Sequence, residues 1–368
     1  MKTISKILIF VSMSLALSGC DDFLTKEPET NLSPNTFFSS EAELELWTNR
    51  FYSLFAGPDT DAIQVSDIQI AKNLSSVQQG TRSPATENWG TSAWAYLRYI
   101  NYYLERSGNC SDETVRQRYD GVAYFFRALF YFEKVRKYGD IPYYDFVIPS
   151  NDWASLKRPR DSRGFVMKKV MEDLDRAITD LPDNWPSDAL YRLSKNAARA
   201  MKARAALYEG TFRKYHSREP SSDKPWQNDV YNADNKFLRE AAAAAKEIMD
   251  KGPFSLVTGD VKTAYRSLFT SAGLLTQEVI FGREYSKELS AFHETSWYYY
   301  SPTYGTKIAM TKKFMNTYLT TKGTPFTDID GYKTVDFIHE FDGRDARMAQ
   351  TVISPSYQMK ISGRMVPY

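Results

Sequence analysis

Apolar side chains recur at helical spacing through the middle of this chain. The clearest stripe has its members on one helical face, namely Val122, Phe125, Phe126, Leu129, Phe132 and Val135. This spacing predicts a helix that ends before Gly139, because Gly and the nearby Pro142 do not continue a helix. Weaker stripes predict a helix that begins near Ser40 and another that begins at Trp94.

Three further stripes each have a capping residue at the start and a Gly or Pro near the end. They predict helices over about 163–181, 195–210 and 235–251, with Gly210 near the end of the second. This second stripe is rich in Ala, and small side chains let neighbouring helices approach closely. Helices that recur every few tens of residues indicate stacked helical hairpins. The clearest helix also contains the Ala-x-x-x-Phe fragment of a tetratricopeptide helix, although the early Trp and Leu-Gly of the full repeat are absent.

Two stretches of the chain lack this periodicity. Residues 59–92 are rich in Ser, Thr, Gln, Asn and Gly, which predicts a long loop, and long loops on rigid scaffolds often have functional roles. Beyond residue 253, aromatic residues cluster with Gly and Pro, and only one more helix is predicted, around 311–319. We therefore expect a helical domain over 40–255 and a loop-rich portion over 256–368.

The first residues have the layout of a cleavable export signal. Lys2 and Lys6 precede an apolar run over 7–17, which is shorter than the roughly 20 residues that span a bilayer. The signal ends in Leu17–Cys20 (LSGC), which resembles the lipobox of bacterial lipoproteins, where the Cys becomes the lipidated first residue. We expect a signal peptide over 1–19, a lipid on Cys20 and an extended tether over 20–39. An ordinary thiol behind a conventional cleavage site is the alternative for Cys20.

Charge and cysteine content narrow the possible partners. Loss of Lys2 and Lys6 with the signal turns 47 basic and 45 acidic residues into 45 of each. A surface of zero net charge has no general attraction to nucleic acid, so no nucleic-acid partner is expected. Cys110 is the only other cysteine, so a lipidated Cys20 leaves no intramolecular disulfide.

Aromatic residues supply the candidate ligand-binding positions. The chain has 25 Tyr, 22 Phe and 7 Trp, and Tyr and Trp can stack on sugar faces and also form hydrogen bonds, although they pack helices equally well. A run of four in the irregular portion forms the first candidate platform, which consists of Trp297, Tyr298, Tyr299 and Tyr300. Burial of half of them in a core is an equally compatible interpretation. The second candidate set lies in the predicted 59–92 loop and consists of Asn73, Arg82 and Trp89. Trp94 shares a stripe with Leu97 and Ile100, which favours a core position.

Residue patterns for catalysis or metal binding are absent from the sequence. The three histidines stand far apart without metal-ligand spacing, and Asp328–Gly331 resembles only a fragment of a calcium loop, so we interpret it as a turn. No Gly-x-Ser-x-Gly elbow, phosphate loop or His-Glu-x-x-His helix is present. We predict no catalytic residue, metal or cofactor. The two carboxylates of a glycosidase would have no local signature, so that class stays open.

Several segments are distinctive in their order along the chain. The most specific are Gly121–Leu129 (GVAYFFRAL) and Tyr138–Pro142 (YGDIP). Further matching segments are Cys20–Leu24, Arg160–Ser162, Asp173–Ala177, Arg192–Ala198, Lys202–Tyr208, Gln277–Phe281 and Asp342–Arg347. Together they resemble the SusD/RagB family of nutrient-binding outer-membrane lipoproteins. Ala346 departs from the pattern, because the family usually has Pro there. Members usually continue well past residue 368, so the resemblance implies that a C-terminal part is absent.

The resemblance implies an all-α fold, a superhelix of tetratricopeptide-like hairpins with a loop-rich C-terminal portion that contributes the ligand site. It also implies a non-catalytic surface lipoprotein that takes part in nutrient uptake and polysaccharide utilisation. Such a protein binds an oligosaccharide and delivers it to a SusC-like TonB-dependent β-barrel in the outer membrane. Asp21 and Asp22 after Cys20 resemble a surface-export signal, which implies an extracellular position.

Two other functions remain compatible with the residues. One is a surface-anchored glycoside hydrolase, and the other is a helical-repeat scaffold for outer-membrane assembly that binds no small ligand. A peptide in place of a sugar also stays open as the ligand. Ligand sites of the family follow no strict motif, so no site residue transfers by pattern.

Overall fold

A computed structural model describes residues 37–55, 66–83, 89–185, 191–219, 226, 235–286, 288, 290–293, 295, 299, 301, 303, 305, 308–361 and 364–367. Its elements in the N-terminal portion are α1 (Glu41–Asn49), β1 (Gln69–Ile70), α2 (Ser76–Gln79), α3 (Ala95–Leu104), α4 (Glu113–Tyr138), α5 (Trp153–Leu156), α6 (Arg163–Asp180), α7 (Lys195–Tyr215) and α8 (Lys236–Lys251). Those in the C-terminal portion are α9 (Ala264–Thr270), β2 (Ala309–Met310), α10 (Lys312–Met315), α11 (Ala346–Thr351), β3 (Gln358–Ile361) and β4 (Arg364–Pro367). Short 3₁₀ turns cover Arg50–Leu54, Thr91–Trp94, Ser107–Asn109, Phe326–Asp328, Tyr332–Thr334 and His339–Phe341.

The long helices stack in chain order around α4. Helices α1 and α3 pack on α4, α4 packs on α6, α6 on α7, and α7 on α8. Because neighbours cover α4 on several sides, nearly every residue from Gly121 to Phe132 is buried. This succession of helical hairpins confirms the predicted all-α, tetratricopeptide-like fold. In the part of the chain that the structure describes, no helix combines the length and the apolar character needed to cross a membrane.

Two helices have the expected capping hydrogen bond, whereas Asn235 at the start of α8 makes no such bond with its side chain. The Ser162 hydroxyl accepts a hydrogen bond from the Phe165 amide at 3.3 Å, and Ser194 does the same for Ala197 at 3.3 Å. Helix α4 begins well before the predicted start at Val122. Its first turns are mostly polar, and its cap is Asp112, whose carboxylate accepts from the amide of the third helical residue.

Two glycines permit close approach between helices. Gly210 lies inside α7 and near its end, as predicted, and the helix continues to Tyr215. A Cβ at Gly210 would lie 2.6 Å from Cδ2 of Leu238 in α8. A Cβ at Gly121 in α4 would lie 2.9 Å from the amide nitrogen of Leu181, just beyond α6. A side chain at Gly121 would therefore displace the backbone at Leu181, and one at Gly210 would displace the Leu238 side chain.

The loop-rich parts contain more regular structure than predicted. Strand β1 and helix α2 lie inside the predicted 59–92 loop, and β1 pairs antiparallel with β2 from the C-terminal portion. The helix predicted over 311–319 is confined to α10. The short helices α9 and α11 and the antiparallel β3–β4 hairpin were not predicted. The predicted turn at Asp328–Gly331 is confirmed, and Gly331 has a φ of 79°.

Arg344 explains why α10 is short. Its buried Nη2 donates to the carbonyl oxygens of Met315 at 2.6 Å and Tyr318 at 3.0 Å, and Nη1 donates to that of Glu340 at 3.2 Å. The guanidinium thus binds the carbonyl groups that a longer helix would use for its own hydrogen bonds. A residue far along the chain therefore ends this helix.

Candidate ligand-binding site

A cavity of about 620 Å³ lies between α3 and the segment that connects α4 to α6. Its volume falls within the usual range of small-ligand pockets. Aromatic and apolar residues dominate the lining, which includes Trp89, Trp94, Tyr99, Pro142, Tyr144, Phe146, Val147 and Ile148. An apolar, aromatic lining of this kind can receive the apolar face of a ring-shaped ligand.

Hydrogen bonds hold the outer wall of the cavity against α3. Asn101 is buried in α3, and its amide nitrogen donates to the carbonyl oxygens of Tyr144 and Phe146, each at 3.0 Å. Arg98, one turn earlier on the helix, donates from Nη1 to the Ile148 carbonyl oxygen at 2.9 Å. These bonds fix the backbone of the wall against α3.

The two tryptophans meet at a steep angle at the edge of the cavity. The ring centroids of Trp89 and Trp94 are 5.1 Å apart with planes 78° apart, and Trp89 also packs edge-on against Tyr138 at 4.7 Å. The ammonium group of Lys134 lies 5.3 Å from the Trp94 ring centroid and 5.9 Å from that of Trp89. Burial lowers the pKa of Lys134, and the nearby charge of Lys137 lowers it further.

The structure brings two of the predicted loop residues to the same place. Arg82 donates from Nη2 to the Lys137 carbonyl oxygen at 3.3 Å, near the end of α4. Trp89 packs against Tyr138 at that same end. Asn73 is exposed in the turn between β1 and α2, and no contact within the described residues joins it to the cavity.

A short clasp joins the loop of Asn73 and Arg82 to the C-terminal portion. Gln69 pairs with Met310 in the β1–β2 ladder. Next to it, the Thr311 hydroxyl donates to the Asp67 carbonyl oxygen at 2.7 Å, and the Lys313 ammonium lies 2.7 Å from the Asp67 carboxylate. The loop predicted to bind ligand therefore lies beside residues that follow the aromatic run Trp297–Tyr300 in sequence.

The aromatic run itself stays a prediction. Trp297, Tyr298 and Tyr300 lie outside the described residues, and Tyr299 is half-buried. Trp94, for which the sequence favours a core position, packs on Phe130 with ring centroids 5.6 Å apart and also lines the cavity.

Sequence reasoning missed the wall residues of the cavity. Tyr144 and Phe146 follow the distinctive Tyr138–Pro142 segment and belong to a short aromatic stretch. This stretch was the sequence feature that could have indicated them as cavity residues. Arg98 had none, because a single arginine on a helix is ordinarily a surface residue. Groups of three or more His, Cys, Asp or Glu that could hold a metal ion are absent from the described residues.

Together, the stacked hairpins and the aromatic cavity define an all-α helical-hairpin protein with a ligand-sized pocket. The chain belongs to the SusD-like family, described as starch-binding and associating with the outer membrane, whose model matches residues 22–207. SusD-like protein P2 of Formosa agariphila is 28% identical over 226 residues, covering 56% of this chain and 44% of that protein. SusD-like protein P25 of the same organism is 23% identical over 300 residues, covering 72% and 56%. The chain spans about half the length of these curated relatives.

Solved structures show the same fold. A SusD-like protein from Bacteroides fragilis superposes with a TM-score of 0.69 at 22% identity, over 93% of this chain and 66% of the other. A SusD-like carbohydrate binding protein from the same species has a TM-score of 0.64 at 20% identity, over 86% and 60%. The family resemblance found in the sequence is therefore confirmed.

Proposed function

We propose that this chain captures an oligosaccharide at the cell surface and passes it, uncleaved, to a SusC-like TonB-dependent transporter. The observation that carries the proposal is the aromatic cavity beside α3 in a member of a family described as starch-binding. Tryptophan faces stack on the apolar side of pyranose rings, and guanidinium N–H groups donate to sugar oxygens. The transporter partner rests on the family resemblance.

In this proposal, Trp89, Trp94 and Arg98 form the centre of the site. Arg82 belongs to its edge, because it reaches the end of α4 against which Trp89 packs. Asn73 and the aromatic run 297–300 stay further candidate positions for ligand contact.

Replacing Trp89 with Ala is expected to weaken oligosaccharide binding by about 1 kcal/mol or more, because a stacking surface is lost. That corresponds to roughly a fivefold or larger rise in Kd. Isothermal titration against a panel of oligosaccharides measures the effect. Trp153→Ala is the matched control, because Trp153 is 66% exposed on α5 and does not line the cavity.

Equal affinities of the Trp89→Ala and unmodified chains would contradict the proposed centre of the site. The same titration on the Trp297→Ala, Tyr299→Ala double variant tests the second platform, with unchanged helical circular dichroism as the check on folding. Analysis of the titrated mixtures for shortened sugars separates the alternatives. Binding without product supports capture, product indicates a glycosidase, and neither indicates a scaffold.

We also propose that a lipid on Cys20, which lies outside the described residues, holds the protein on the outer membrane. Cys20→Ala is expected to abolish acyl labelling and release the protein into the soluble fraction, because the acylated thiol is removed. Radiolabelled palmitate incorporation and membrane fractionation measure both results. Cys110→Ala is the matched control and should leave both unchanged. Membrane retention of the Cys20→Ala chain would contradict the anchor.

A further inference from the structure

The charge on the lining of the cavity is positive. Among its described lining residues, Arg98 is the one charged side chain, and none is Asp or Glu. Only one of the Arg98 guanidinium N–H groups is needed for the bond to Ile148 at 2.9 Å, and a guanidinium has five. The same cation can therefore hold the wall and meet an oxygen of a ligand.

Two more cations lie behind the aromatic wall. Lys134 lies over the rings of Trp89 and Trp94, and the Arg160 guanidinium carbon lies 5.1 Å from the Trp89 ring centroid. In the described part of the chain, neither Lys134 nor Arg160 forms an ion pair with a carboxylate. Trp89 is thus flanked by positive charge.

Two of the nearby carboxylates pair with arginines. Asp161 forms an ion pair with Arg158 at 2.9 Å, and Glu105 forms one with Arg106 at 3.2 Å. Asp145 is exposed between the lining residues Tyr144 and Phe146 but does not itself line the cavity, so the charge on the lining is that of Arg98.

From this charge distribution we infer that the cavity selects an acidic glycan, in which a carboxylate or sulfate group accompanies a sugar ring that stacks on the tryptophans. This inference rests on the proposed function and names the class of its ligand. Arg98 is exposed, so its attraction for an anion depends on the salt concentration. Arginine also matches the paired oxygens of a carboxylate or sulfate by bidentate hydrogen bonding, which a hydroxyl group does not offer.

A neutral glycan would use the same cavity less well. It would stack on Trp89 and Trp94 but would leave the half-buried Lys134 without a countercharge. Burial already lowers the pKa of Lys134, which shows that its charged form is poorly solvated there. A bound anion would pair with Arg98 directly, whereas Lys134 does not line the cavity and would interact with the anion only at longer range.

Matched pairs of oligosaccharides test the inference. The probes are oligogalacturonate, oligoalginate and sulfated fucan oligosaccharides, each beside its carboxyl-reduced or desulfated counterpart. Isothermal titration at 50 and 300 mM NaCl should show at least one acidic member binding tenfold or more tightly than its neutral partner. The difference should shrink at the higher salt concentration, because salt screens charge.

Arg98→Gln locates the effect. We expect this variant to lose most of the preference for the acidic member while its affinity for the neutral member changes less than threefold. The matched control is Arg116→Gln. Arg116 lies near the start of α4, does not line the cavity and pairs with Glu113 at 3.7 Å. This control should keep the full preference.

Three other outcomes would contradict the preference for acidic glycans. Equal or tighter binding of every neutral member overturns the inference and leaves glycan capture standing. An equal loss in both members on Arg98→Gln also overturns it, because Arg98 would then serve the sugar rather than the anion. Failure of every oligosaccharide to bind, acidic or neutral, overturns the inference and the proposed function together.

Discussion

Replacing Asp173 with Leu should lower the free energy of unfolding by about 3–5 kcal/mol, because it leaves the Arg127 guanidinium charged and unpaired in the core. In the intact protein, Nε and Nη2 of Arg127 each donate to an Asp173 carboxylate oxygen at 2.7 Å. The side chains are only 6% and 4% exposed. Burial alone would lower the pKa of Arg127, and the two bonds to Asp173 raise it above its ordinary value. Urea unfolding followed by far-UV circular dichroism measures the loss.

The double variant Arg127→Met, Asp173→Leu separates the ion pair from packing. Once both charges are gone, apolar side chains of similar size can fill the space, and we expect most of the lost stability to return. If the double variant is as unstable as Asp173→Leu alone, the damage comes from packing and the unpaired-charge explanation is wrong. This pair joins α4 to α6, so its loss bears directly on the stack of helices.

Helices with both a stripe and a cap were predictable from the sequence. Ser162 and Ser194 each precede an apolar period and form the predicted hydrogen bonds. The start of α4 was missed because its first turns bury only Val115 and Tyr119 among polar residues, so no stripe is visible there. The spacing of apolar residues predicts a helical segment when one of its faces is apolar. It does not predict a segment, such as the start of α4, for which the capping residue is the main signal.

Elements whose ends depend on distant residues could not be predicted in this way. Arg344 ends α10 by binding the carbonyl groups of Met315 and Tyr318. The residues next to α10 in the sequence do not indicate these bonds. Strand β1 exists because β2, far along the chain, pairs with it. Isolated two-residue strands have no periodicity to detect.

Only part of the candidate site could be predicted, because some of its residues come together only through tertiary contacts. Trp89 and Arg82 attract attention as aromatic and charged residues in a polar segment, and the structure places both near the end of α4. Arg98 and Tyr144 contribute to the cavity only through the folding of the connection onto α3. Membership of a cavity is a property of tertiary contacts, and residue type alone does not reveal it.

Replacing Glu209 with Gln should also cost about 3–5 kcal/mol, because one buried carboxylate serves two arginines. Arg163 donates from Nε to Glu209 Oε2 at 2.9 Å, and Arg213 donates from Nε to Oε1 at 2.8 Å. The Glu209 side chain is 0% exposed. A neutral amide would remove the buried negative charge that pairs with both Arg163 and Arg213. Thermal and urea unfolding measure the change.

Glu133→Gln is the matched control for this substitution. Glu133 pairs with Arg136 at 2.8 Å, but its side chain is 52% exposed, so we expect a change of at most about 1 kcal/mol. Hydrogen–deuterium exchange adds a local test, because Glu209 joins α7 to α6 and α7 supports α8. Faster exchange in α7 and α8 than in α4 would locate the damage at the buried carboxylate. A uniform increase along all helices, or equal losses for the two substitutions, would mean that Glu209 does not hold these helices through its charge.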